Sequence, residues 1–82
     1  MADFPRQLPW RRFVRVLQSL GYHPARPHRG SIRWFSNPAR HPNVVSFHEP
    51  HPGDNLHEAT LHKCVRKLYL SPDDFVELLK NC

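Results

Sequence analysis

From Pro9 to Leu20 the apolar residues Trp10, Phe13, Val14, Leu17 and Leu20 recur at intervals of three and four, with Arg11, Arg12, Arg15 and Gln18 set between them. That spacing predicts an amphipathic helix with a single buried stripe. Pro9 suits the first helical turn, where an unpaired N–H is lost anyway, and Gly21 is placed to end the helix in a left-handed cap. Beyond Gly21 the period shortens to two. Residues 22–26 read as a short edge strand that tolerates Pro24, and His28-Arg29-Gly30 as a hairpin connection. Residues 31–36 form a second strand with Ile32 and Trp34 on one face, expected to pack in the core, and residues 44–48 a third. Asn37-Pro38 opens the turn between them, and Pro50-His51-Pro52-Gly53 reads as a rigid loop.

The helical period then returns. Asn55 with Glu58 three residues on predicts an N-cap and capping box, followed by a stripe of Leu61, Cys64, Val65 and Leu68. Ser71-Pro72-Asp73-Asp74 restarts a helix with a cap, a proline at its first position and acids in its first turn, and Phe75, Leu78 and Leu79 dock it. The predicted order is α-β-β-β-α-α. It implies an α+β fold in which a three-stranded antiparallel sheet is covered on one face by helices. The other face of the sheet must meet solvent or a ligand.

Composition narrows this picture. Eighty-two residues, 39% apolar with nine aromatics, give one domain with one thin core. Six of the nine prolines fall between positions 24 and 52, in keeping with strands and turns there. No apolar run approaches the roughly 20 residues that span a bilayer, and Arg11 and Arg12 interrupt the first hydrophobic segment. Cys64 and Cys82 do not make a disulfide framework, so a reduced, cytoplasmic setting is expected.

Charge adds more. The net charge is +5, and its distribution is one-sided: residues 1–48 carry eight arginines against the single acid Asp3, residues 49–82 four bases against six acids. Arginine pairs bidentately with phosphate and stacks on bases, so a polyanionic partner is expected. Arg26, Arg29, Arg33 and Arg40 are the candidate RNA contacts, interleaved with Tyr22, His28, Trp34 and Phe35 in a pattern that suits phosphates and unstacked bases. The same basic face also fits a protein-interaction module with an acidic partner.

Other chemistries find little support. His57 and His62 stand five residues apart rather than four, which turns one ring about 140° from the other on a helix, so they do not form a helical zinc pair. His41, His48 and His51 match no zinc spacing and have no cysteine beside them. The three glycines fall in no phosphate-binding loop, and no cofactor is expected.

The sequence resembles the HicA (YcfA-like) toxins. The resemblance rests on the opening helix ending Leu20-Gly21-Tyr22, the basic hairpin leading to Gly30-Ser31, the aromatic and valine-rich strands, His51-Pro52-Gly53 with Leu56, Thr60-Leu61, and the closing Leu70-Ser71-Pro72-Asp73-Asp74-Phe75. It covers about residues 9–79. It implies a fold like a double-stranded RNA-binding domain, a metal-independent mRNA-cleaving activity and inhibition by a HicB-like antitoxin. It also places the family's catalytic histidine after the Gly-Ser pair, where this chain has Ile32, which can neither accept nor donate a proton. Two expectations follow: a nuclease whose histidine has moved, with His28 the nearest substitute, or a scaffold that keeps RNA or antitoxin affinity without cutting. A positioned acid–base group is typically worth ~10²–10⁴ in rate.

Overall fold

The computed structural model of the chain describes residues 3–25 and 30–82. Along them run β1 Gln7–Pro9, α1 Trp10–Ser19, β2 His23–Pro24, β3 Ile32–Ser36, β4 Val44–His48, β5 Asn55–His57, α2 Glu58–Lys67 and α3 Pro72–Lys80. The expected α-β-β-β-α-α order is present, with a three-stranded antiparallel sheet in the order β2-β3-β4. A two-stranded antiparallel sheet of β1 and β5 is added to it.

α1 ends as its sequence requires. Gly21 has φ 97°, Gly21 N–H donates to Gln18 O at 2.9 Å, and Tyr22 N–H reaches back to Leu17 O at 3.0 Å. These are the paired bonds of a Schellman cap. α2 ends with the same two bonds, Tyr69 N–H to Arg66 O and Leu70 N–H to Val65 O, although Tyr69 takes the left-handed position at φ 58°. α3 starts as expected: Pro72 follows the Ser71 cap, whose Oγ accepts from Asp74 N–H at 3.1 Å.

Three sequence expectations need correction. Pro9 is the N-cap of α1 and the last residue of β1, and the first helical residue is Trp10. Asn55 does not cap α2. It lies in β5 opposite Pro9, its Nδ2 donates to Gln7 Oε1 at 3.2 Å, and His57 becomes the N-cap without a side-chain bond. The Leu8–Leu56 pair explains this, since both side chains are buried and pairing β1 with β5 puts them in the core. The third correction concerns β3. Its buried residue is Phe35, whereas Ile32 is 37% exposed and Trp34 half-buried on the opposite face. Apolar residues occupy both parities of β3, and its partners Val45 and Phe47 decide which face meets the helices.

The core lies between that face and the helices. Phe35, Val45 and Phe47 of the sheet join Phe13, Val16 and Leu17 of α1, Leu61, Cys64 and Val65 of α2, and Phe75 and Leu79 of α3. Phe13 stands edge-on to Phe47 at 5.0 Å between ring centroids and lies 6.1 Å from Phe75, linking the sheet to α3. Buried Asn37 ties the far end of the sheet to α1: its Nδ2 donates to Leu20 O at 2.8 Å and its Oδ1 accepts from Ala39 N–H at 3.0 Å. Asn37→Ala should lower stability by about 1–3 kcal/mol, because the carbonyl at the helix end loses its partner. Urea denaturation monitored by tryptophan fluorescence measures this.

Candidate nucleic-acid interface

The register of β3 against β4 builds the site. Glu49 N–H donates to Ser31 O at one end of the hairpin and Asn37 N–H to Asn43 O at the other, each at 2.7 Å. Arg33–Phe47 and Phe35–Val45 are therefore the hydrogen-bonded pairs. Ile32–His48, Trp34–Ser46 and Ser36–Val44 are the non-hydrogen-bonded pairs, whose side chains stand closest together. These latter six residues form the open face, a short platform of Ile32, Trp34 and Val44 with serine and histidine between them.

The candidate arginines separate along the sheet. Arg33 falls on the helix-facing parity at the strand's first turn, where its Nε donates to Glu49 Oε1 at 2.7 Å and its Nη1 to Gly30 O at 2.7 Å. Its charge is thus held by a carboxylate and its fork braces the turn. Arg40 sits at the opposite end, with its Nη1 donating to the Tyr22 hydroxyl at 3.1 Å while that hydroxyl donates to Pro42 O at 2.6 Å. The structure does not bring Arg33 and Arg40 together. Arg26, His28 and Arg29 lie outside the described residues.

Among the described residues, Arg33–Glu49 is the only pair between an arginine or lysine and a carboxylate. Exposed Arg6, Arg11, Arg12 and Arg15 therefore carry uncompensated charge, the last three on the outer face of α1. Arg11 borders an open depression with Trp10, Glu49 and His51. A neighbouring depression that shares Glu49 and His51 is lined by Gly30, Ser31 and Arg33. A third, reached across His51, is lined by His48, His57 and Thr60. The end of the sheet near the 49–54 loop thus gathers imidazoles, serine and guanidinium around shallow surfaces.

The family described as HicA toxin of bacterial toxin-antitoxin matches residues 10–68. The chain belongs to the HicA toxin family. No curated protein and no solved structure matches it significantly.

The matched segment of this HicA toxin runs from the first residue of α1 through the sheet to the cap of α2, so it holds the open face and, apart from Pro9, the lining of the three depressions, while α3 follows it. Within the segment Ile32 occupies the open face directly across from His48. The remaining histidines are scattered or engaged. His62 stacks on Phe4 with ring centroids 3.9 Å apart and lies 3.8 Å from Glu58, and His41 packs near Tyr69. Among the described residues no cluster of histidine, cysteine and carboxylate is arranged to hold a metal ion, and no helix is long and apolar enough to cross a membrane.

The two cysteines differ sharply. Cys82 is exposed, whereas Cys64 is buried in α2, and its burial raises the thiol above its ordinary pKa despite the nearby Lys67 ammonium. The nucleophile is the thiolate. A neutral-pH thiol reagent should therefore label Cys82 quickly and Cys64 only after unfolding, as mass spectrometry of the intact chain would record. Because the folded thiol binds its proton more tightly than the unfolded one, this contribution to stability is complete below the unfolded pKa. It fades as pH rises through the folded value.

Sequence reasoning passed over two features of the site. His48 stands opposite Ile32 only through the strand register, which no local sequence pattern displays. Arg11 lies on the polar side of the α1 pattern, and its proximity to the 49–54 loop comes from long-range packing.

Proposed function

We propose that this HicA-family toxin acts on RNA, with mRNA as its target, and that a HicB-like antitoxin silences it by covering the same surface. The observation that carries the reading is electrostatic: with one exception the described arginines of the basic half have no carboxylate partner, and they lie on a fold whose sheet turns one face away from the helical core. Uncompensated guanidinium groups attract phosphate and pair with it bidentately. Arg26, Arg29 and Arg40, with Arg33 once it is released from Glu49, are the proposed phosphate contacts.

Ile32 stands where the family resemblance puts the catalytic histidine, and an alkyl side chain moves no proton. RNA binding is therefore the part of the function that the sequence retains most fully, and the toxin is impaired at that position. Filter retention of a labelled single-stranded RNA by the purified chain tests binding, and retention at low salt is the expected result. Absence of retention at every salt concentration would overturn it. Co-purification with the product of the neighbouring gene tests the antitoxin, and failure to form a complex would remove that part of the reading.

A further inference from the structure

We infer that His48 is a catalytic acid–base residue of this chain, acting on an RNA phosphodiester laid across the open face at the junction of β3 and β4. The inference rests on the RNA reading above and assigns the chemistry that reading leaves without a residue.

Three observations converge on this side chain. First, His48 is exposed and forms a close, non-hydrogen-bonded pair with Ile32, with the Trp34–Ser46 pair next along the strands. Second, among the described histidines it is the only one with a side-chain hydrogen bond, Nδ1 to Ser31 Oγ at 3.1 Å. Third, it borders a depression that reaches His51 and through it the surface lined by Ser31 and Arg33.

The Ser31 bond is the chemically informative one. With the proton on Nδ1, that N–H donates to Ser31 Oγ, the ring is held in one orientation, and Nε2 presents its lone pair. When Nε2 takes up a proton, Nδ1–H still donates to the same oxygen, so the contact supports both states of the ring. This is the arrangement that general acid–base histidines use, with one nitrogen anchored and the other working. The other described histidines lack it. The ring of His62 is covered by Phe4, and His41 lies near Tyr69 beyond the turn at the other end of the sheet. The carboxylate of Glu49, next in sequence to His48, is engaged by Arg33.

The step balances without a metal or a redox partner. His48 Nε2 removes the proton of a ribose 2′-hydroxyl, and the 2′-oxygen forms a bond to the adjacent phosphorus. The bond from phosphorus to the 5′-oxygen breaks, and that oxygen takes a proton from water. The products are a 2′,3′-cyclic phosphate and a 5′-hydroxyl end, and the imidazolium returns its proton to solvent. Ser31 is a positioning residue in this scheme.

The test is cleavage and binding of one end-labelled single-stranded RNA, in EDTA, by the full chain and by His48→Gln, His48→Ala, Ser31→Ala, Ser31→Thr and His28→Ala. The expected result has five parts. The parent cleaves and leaves 5′-hydroxyl ends. His48→Gln loses about a hundredfold in rate with RNA affinity within twofold. Added imidazole restores part of the His48→Ala rate. Ser31→Ala is slowed, and Ser31→Thr recovers the rate. Parental cleavage by His48→Gln would overturn the assignment, as would loss of cleavage in His28→Ala alone. A parent that retains RNA but never cuts it would overturn the assignment while leaving RNA binding standing. A parent that does not retain RNA would remove both. Because His48 is exposed, its variants should melt with the parent, which thermal unfolding checks.

Discussion

Phe75→Ala should lower the free energy of unfolding by about 3–5 kcal/mol. Phe75 is fully buried at the first turn of α3, and its ring lies 5.9 Å from that of Phe4 and 6.1 Å from that of Phe13. Phe13 in turn stands edge-on to Phe47 of the sheet, so the three rings form a chain from α3 through α1 to β4. Removing one of them leaves a cavity that helices fixed at both ends cannot close. For a chain of this size the whole stability is about 4–12 kcal/mol, so the variant should be partly unfolded at 37 °C. Urea titration followed by far-ultraviolet circular dichroism measures the effect, and a loss below about 1 kcal/mol would show that α3 does not carry the core as described.

The second large effect concerns affinity. Replacing Arg26, Arg29 and Arg40 together by alanine should weaken single-stranded RNA binding roughly a hundredfold at 0.1 M salt. Each phosphate contact on a single strand releases counterions worth about 0.7 of a log unit per decade of salt, so three contacts contribute about two log units between 1 M and 0.1 M. Arg33 is left out of this set because its guanidinium bonds Glu49 and the Gly30 carbonyl, and its loss would also disturb the turn. The complementary change, Glu49→Gln, frees the Arg33 fork and removes a negative charge from the surface, and it should tighten binding. Equilibrium titration at fixed salt reads both variants against the parent. An unchanged triple variant would move the phosphate contacts to Arg11, Arg12 and Arg15 on α1.

Much of the fold was legible in the sequence because local rules agreed with one another. The 3.6-residue stripe of α1, the glycine that ends it, the Leu61–Cys64–Val65–Leu68 stripe of α2 and the Ser71-Pro72 start of α3 each act within a single turn. The buried stripe of α2 follows directly, whereas α1 and α3 also bury Val16 and Val76 and leave Trp10, Val14, Leu20 and Leu78 only partly buried. What escaped depends on partners distant in sequence. β1 is three residues long and exists because Leu8 meets Leu56, and that long-range pair also displaces Asn55 from its expected cap. In β3 the alternation Ile-Arg-Trp-Phe-Ser is apolar on both faces, and the choice between them was made by Val45 and Phe47 on the neighbouring strand. The same register sets His48 opposite Ile32. Net arginine content is a property of composition and was legible from the sequence, whereas the Ile32–His48 cross-strand pair is a property of the folded sheet and was not.

Whether this chain binds RNA through phosphate is tested most directly by the salt dependence of its RNA affinity. Dissociation constants for one single-stranded RNA, measured from 50 mM to 500 mM salt, should fall on a straight line of log affinity against log salt. The negative slope should correspond to several neutralised phosphates and become shallower by about two in the triple arginine variant. An affinity that is absent at 50 mM salt, or that stays flat across the series, would contradict the account and assign the basic face to a protein partner instead.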